Sequence, residues 1–412
     1  MAKPHLGNKI DKHIKEQKMK NYKLTKAACY FTNVTMSIVA NLSPLLFLTF
    51  REMYDLSFTL LGLLVVINFA TQLTIDLVFS FFAKYFNIHK TVRLTPFIAF
   101  IGLVFYAVMP MLIPSLAFLW IVIGTVVFSV SAGLAEVLIS PVVAAMPSEN
   151  PEREMSKLHS IYAWGVVGVV IISTAFLHFC GTENWHILAL IWSLVPLCAS
   201  ILFAASPLPD MNVDGGGQSG KIFSPGLILC FLLIFLGGAS ECTMSQWVSG
   251  FAEEAIGVPK MLGDVFGLAL FGAMLGLGRT AYAKFGKKII NVMFFGMIGA
   301  AVCYITAAAS GNAVISLVAC GMTGLFTSML WPGTLIYAEE KITGLGVAAY
   351  ALLAAGGDLG ASVVPQLVGI LSDSIDMRAG MLSAAIFPIC GIFLILFIKK
   401  YFSKKEKSLG KE

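Results

Sequence analysis

The sequence predicts an all-α membrane protein of twelve spanning helices in two six-helix bundles related by pseudo-symmetry. Three observations carry that prediction. Of its 412 residues, 58% are hydrophobic and only 12% charged, where soluble domains carry about 25% charged residues. Apolar runs long enough to cross a bilayer, about 20 residues each, recur twelve times. A polar stretch rich in Pro and Gly divides those runs six and six.

The runs cover 25–50, 58–83, 92–112, 115–146, 154–179 and 185–205, then 223–250, 260–283, 288–310, 312–339, 344–371 and 378–401. They are numbered spans 1 to 12. The first is too long for a signal peptide and no small-residue cleavage site precedes it, so no cleavage is expected. The domain plan is a lysine-rich tail (1–24), an N-terminal bundle (25–205), a linker (206–222), a C-terminal bundle (223–401) and a second tail (402–412). The linker contains SPLPDMNVDGGGQSG from Ser206 to Gly220, the composition of a flexible connection.

The two halves resemble each other. Phe50, Glu52 and Gly62 align with Phe251, Glu253 and Gly263 at an offset of 201, and Ala83-Lys84 aligns with Ala283-Lys284 at 200. With twelve spans, these matches point to two repeats about an axis along the membrane normal.

Charge sets the expected orientation. An even number of spans puts both termini on one side, and 25 of the 28 Lys and Arg fall on that side; Arg51, Lys260 and Arg378 are the exceptions. Basic flanks stay in the cytoplasm, so both tails are expected to be cytoplasmic, in the inner (plasma) membrane and near anionic lipid. The net charge of +5 therefore marks topology rather than nucleic acid.

Several function classes drop out. The eight cysteines lie in or beside apolar runs without a C-x-x-C pair and read as small buried residues, not as a metal site or disulfide framework. Gly215 to Lys221 imitates a phosphate-binding loop, but position 222 is Ile and no strand precedes it. No nucleophile–base pair at credible spacing indicates an intramembrane enzyme, and the longest loops are too short for a receptor domain. No cofactor is expected, and the chain is expected to act as a monomer on a small-molecule solute.

Four acids lie at membrane depth: Asp76 in span 2, Glu136 in span 4, Glu241 in span 7 and Asp358 in span 11. A charge at the bilayer centre costs about 3 kcal/mol on insertion scales, so such residues read as functional. Polar residues also recur at spacings of four, which places each set on one helix face: Asn33, Ser37 and Asn41; Asn68, Gln72 and Asp76; Thr323, Thr327 and Trp331; Asp358, Ser362 and Gln366. These faces are expected to line a shared aqueous cavity. Taking a carboxylate out of water disfavours its ionised form, so Glu136 can bind and release a proton, with Glu241 and Asp358 as further candidates. Hydroxyl recognition could come from Trp331 or Trp164 with Asn41, Asn68, Gln72, Gln246, Glu136 and Asp358. Together these features imply movement of a polar solute across the bilayer.

Twelve spans in two repeats resemble the major facilitator superfamily. Gly133-Leu-Ala-Glu136 with Pro141, Gly237-Gly-Ala-Ser-Glu241 with Gln246-Trp247, Phe326 to Pro332, and Gly356-Gly-Asp358 with Pro365 to Asp373 are similar to spans 4, 7, 10 and 11 of its fucose permease branch. The resemblance implies alternating access around a central site, a monosaccharide or related solute, and proton symport. It also implies gate positions near Asp76 and Arg279 at the cytoplasmic ends of spans 2 and 8. One departure is Asn41 in span 1, where that branch has an aspartate. Coupling then runs through Glu136 with Glu241 or Asp358, or the chain is an uncoupled facilitator. Efflux of an amphipathic drug is the further alternative, although amide-rich stripes suit it less well.

Overall fold

The computed structural model describes residues 22–82, 85–148, 151–209, 224–286, 288–342 and 347–409. The lysine-rich tail and the 206–222 linker fall almost wholly outside these ranges. Within them the chain is a membrane-scale helical bundle. Eleven helical segments are long and apolar enough to cross a bilayer, and a bent pair at the start completes twelve spans. Helices arise because lipid cannot satisfy exposed backbone groups, so each span must bond its own N–H and C=O groups.

Span 1 is that bent pair: Lys23–Leu45 and Phe47–Tyr54 meet at 47°. Pro44 causes the bend, because it has no N–H for the carbonyl one turn back and its ring crowds that carbonyl. The carbonyl left free is Ala40 O, and it accepts from Gln246 Nε2 of span 7 at 3.4 Å. Span 10 repeats the device. It breaks between Ala313–Thr327 and Leu330–Lys341, and the carbonyl that Pro332 leaves free, Ser328 O, accepts from Arg279 Nε at 3.1 Å. In each case a polar side chain from another span replaces the missing donor.

Spans 2 to 7 are Phe58–Phe82, Ile88–Leu112, Ala117–Ala145, Pro151–Cys180, Trp185–Ala205 and Pro225–Phe251. Span 8 is less regular: a short helix, Lys260–Gly263, leads through a π-helical turn, Asp264–Ala269, into Leu270–Phe285. Spans 9 and 11 are Ile289–Ala309 and Val347–Ser374, and span 12 joins Met377–Ser383 to Ile386–Leu409.

The two halves meet along three pairs of spans: 2 on 11, 5 on 8, and 1 on 7. Polar ties between them cluster at the end remote from the termini. There Asp373, at the end of span 11, accepts from the Phe58 and Thr59 N–H groups at 2.9 and 2.6 Å and from the Thr59 hydroxyl at 2.6 Å. Arg51 stands 3.8 Å from the same carboxylate. Gln366 Nε2 donates to Thr59 O at 3.2 Å. Trp247 fills the space between Phe47 and Phe58, with ring centroids 5.2 and 6.0 Å away. An apolar core continuous through both halves lies behind these contacts. This end is sealed.

Candidate functional site

Fold and packing bring the intramembrane acids into one region. Asp76, Glu136 and Asp358 come from spans 2, 4 and 11, yet lie close enough to feel one another's charge. Asp76 and Asp358 are 3% and 4% exposed. Neither Asp76 oxygen has a hydrogen-bond partner among the described residues, nor does Oδ2 of Asp358. Glu136 differs. It lies deep within the bundle but is solvent-accessible, as expected of a group lining an internal wet space. Its helix face is set by Gly133, whose missing side chain lets span 4 close on Gln72 and Ile75 of span 2.

Glu241 and Arg279 adjoin this group. Arg279 Nη2 meets Glu241 Oε1 at 3.0 Å, while its Nε holds Ser328 O. The guanidinium is thereby anchored on two sides, a geometry that a lysine could not reproduce. Tyr162 of span 5 and Cys242 of span 7 lie within the same electrostatic neighbourhood. Trp331 packs its six-membered ring against Gly357 and Gly238; Gly357 is the chain neighbour of Asp358. Glycine is required at 357, because a Cβ there would occupy the space of the indole.

The Major Facilitator Superfamily model matches residues 27–349, more than half the chain. The chain belongs to the major facilitator superfamily. It is a membrane transporter rather than an enzyme. No curated protein matches it in sequence. Among solved structures, it is similar to a bacterial homolog of the human lysosomal transporter Spinster in an inward-facing, occupied conformation (14% identity, 93% of this chain and 98% of that one, TM-score 0.74). It is also similar to the E. coli xylose transporter in an inward open conformation (14%, 91% and 95%, TM-score 0.72). A third is the E. coli fucose:proton symporter (13%, 92% and 99%, TM-score 0.62). At these identities the similarity is one of fold.

In this facilitator, several residues expected at the site are placed otherwise. Trp164 is 68% exposed. It lies two residues after the inward-facing Tyr162, about 200° further round the helix, so it faces outward, away from the acids. Part of the span 1 stripe is interhelical contact rather than cavity lining: Asn33 Nδ2 donates to Leu158 O at 2.6 Å and Ser37 Oγ to Tyr162 O at 2.9 Å. Asn41 Nδ2 bonds within its own helix, to Ser37 O at 2.8 Å. Asn68 accepts from Gln72 at 3.1 Å and from Ser129 at 2.6 Å, which ties span 2 to span 4. Thr323 and Thr327 are fully buried and return their hydroxyls to their own helix. Carbonyls one turn back and on neighbouring helices satisfy these side chains without water. Asp76 and Arg279, expected as gate positions, both point into the acid region.

Other residues seal the molecule. Asp264, fully buried at the start of span 8, accepts from Thr174 of span 5 at 2.9 Å and from Ser249 of span 7. It pairs with Lys260 at 3.6 Å, whose Nζ also donates to Leu45 O of span 1 at 2.6 Å. This four-residue ion-pair spacing was the sequence signal available for it. Asp373 gave no such signal, because its partners, two backbone N–H groups, the Thr59 hydroxyl and Arg51, all lie more than 300 residues away. Among the described residues no three His, Cys, Asp or Glu converge closely enough to hold a metal ion.

Proposed function

We propose that this facilitator carries a monosaccharide or a related small polar solute across the membrane by alternating access, coupled to proton symport. The observation that carries the reading is Glu136: a carboxylate at mid-span, accessible to solvent inside the bundle, within electrostatic reach of a second acid on the opposite half. A proton bound there can respond to solute and to the movement of the two halves. Asp358 is the second coupling group. Glu241 holds Arg279, so it acts as the counter-ion that positions the guanidinium. Trp331 offers an aromatic face packed on Gly357, the residue before Asp358, and Gln246 an amide at the junction of spans 1 and 7.

The distribution of Lys and Arg supports a plasma-membrane orientation with both termini in the cytoplasm. With that orientation the tied end of the bundle faces outward. Two of the similar solved structures are described as inward-facing or inward open.

The test is a thermal-stability screen of the purified chain in detergent with hexoses, deoxyhexoses, disaccharides, sugar acids, nucleosides and lipophilic cations at two pH values. A ligand that binds only the folded state stabilises it by about 2.7 kcal/mol at a hundredfold excess over Kd. The expected result is a pH-dependent shift with one sugar. Silence from every sugar, with a shift from a nucleoside or lipophilic cation, overturns the reading.

A further inference from the structure

The acid region carries more negative charge than proton coupling by one residue requires. Asp76, Glu136 and Asp358 share it, and the nearby cation, Arg279, is already paired with Glu241. Protonation removes the charge but creates a second need. A protonated carboxyl is an O–H donor that must find an acceptor, and among the described residues neither Asp76 oxygen has a partner, although the residue is only 3% exposed. Asp358, 4% exposed, leaves Oδ2 equally unpartnered among the described residues. Buried polar groups without partners are costly, and these two lie on opposite halves, spans 2 and 11, facing one region. A compact metal ion does not fit, since no three such ligands converge among the described residues. An organic ammonium carries several N–H donors and needs only two such oxygens. The indole of Trp331, packed on Gly357 one residue before Asp358, is an aromatic face of the kind that attracts ammonium groups.

We propose that the transported solute is a cation, a polyhydroxylated primary amine with the chemistry of an amino sugar, whose ammonium is held between Asp76 and Asp358 against Trp331. This deepens the sugar reading and rests on it for the hydroxylated body. The carboxylates select the charge. Glu136, the solvent-accessible member, is left to exchange the coupling proton. Because Asp76 and Asp358 belong to different halves, one ammonium bridging them ties solute occupancy to the approach of the halves.

The experiment compares four probes on the full-length chain in detergent, in mildly acidic buffer where amines are charged: glucosamine, N-acetylglucosamine, glucose and cyclohexylamine. The first three share a body and differ in charge; the fourth has the charge without the hydroxyls. Binding is read by thermal shift and by tryptophan fluorescence. The expected result is a Kd for glucosamine at least about tenfold below those of glucose and N-acetylglucosamine, the worth of one charge-assisted hydrogen bond. Asp358→Asn, or Asp76→Asn should the first variant not fold, then levels the three sugars. If glucose or N-acetylglucosamine binds as tightly as glucosamine, the cation inference is overturned and the sugar reading stands. If cyclohexylamine alone binds, the ammonium site stands and the sugar reading falls. If none of the four binds, both are overturned.

Discussion

Arg279 and Glu241 form an ion pair at 3.0 Å inside the C-terminal half, and the same guanidinium donates to the Ser328 carbonyl that Pro332 leaves without a partner. One side chain therefore does two things: it neutralises an intramembrane acid and repairs a broken helix. Removing one member of this partly buried pair costs more than removing both, because it strands a charge. Arg279→Gln or Glu241→Gln alone should lower stability by up to about 3 kcal/mol and abolish transport. The double variant should recover part of the stability. A double-mutant cycle by thermal unfolding measures the coupling, and strictly additive losses would show that the pair is not a unit.

Asp373 seals the opposite end by capping span 2. It satisfies the Phe58 and Thr59 N–H groups, orphan donors that every helix N-terminus presents. Asp373→Ala should cost about 1 kcal/mol as a lost cap. It should also shift the population toward opening at that end. Spin labels at Asp55 and Asp376 would report longer distances in the variant; an unchanged distribution would show that the cap is not part of the seal.

Lys260 and Asp264 link spans 1, 5, 7 and 8 through one buried ion pair. Asp264→Asn leaves Lys260 without its counter-charge and is expected to be more disruptive than the paired change Lys260→Met with Asp264→Leu. Thermal unfolding of both variants decides this.

Glu136→Gln keeps the shape of the side chain and removes its proton. Accumulation sensitive to a protonophore should be lost while exchange of solute continues. Vesicles in which accumulation survived unchanged would move the coupling role away from Glu136.

Trp331 and Trp164 make a matched pair. Trp331 packs on Gly357 beside Asp358, whereas Trp164 is 68% exposed on the outer face. Trp331→Ala should reduce solute affinity at least about tenfold, the loss of one aromatic contact with the solute. Trp164→Ala should leave uptake near its original level. Equal losses in both would contradict the outward placement of Trp164.

The sequence by itself determined the class, the twelve spans and the six-plus-six division. Hydrophobic length and turn composition are local properties, and lipid enforces helix on any long apolar run. It also marked Asp76, Glu136, Glu241 and Asp358 as out of place, because their position inside long apolar runs puts them at membrane depth, where a charge is costly unless paired, protonated or wetted. Tertiary structure decided which of those acids meet. Asp76 and Asp358 are separated by nearly 300 residues and converge only because span 2 packs along span 11. It also decided which spacing-of-four stripes are wet. Periodicity says that Asn33 and Ser37 share a face, but not that the face is filled by carbonyls of span 5. The direction of Trp164 and the partners of Arg279 and Asp373 followed the same rule. A side chain's helix face is written in the sequence, and what stands opposite that face is set by packing between distant segments.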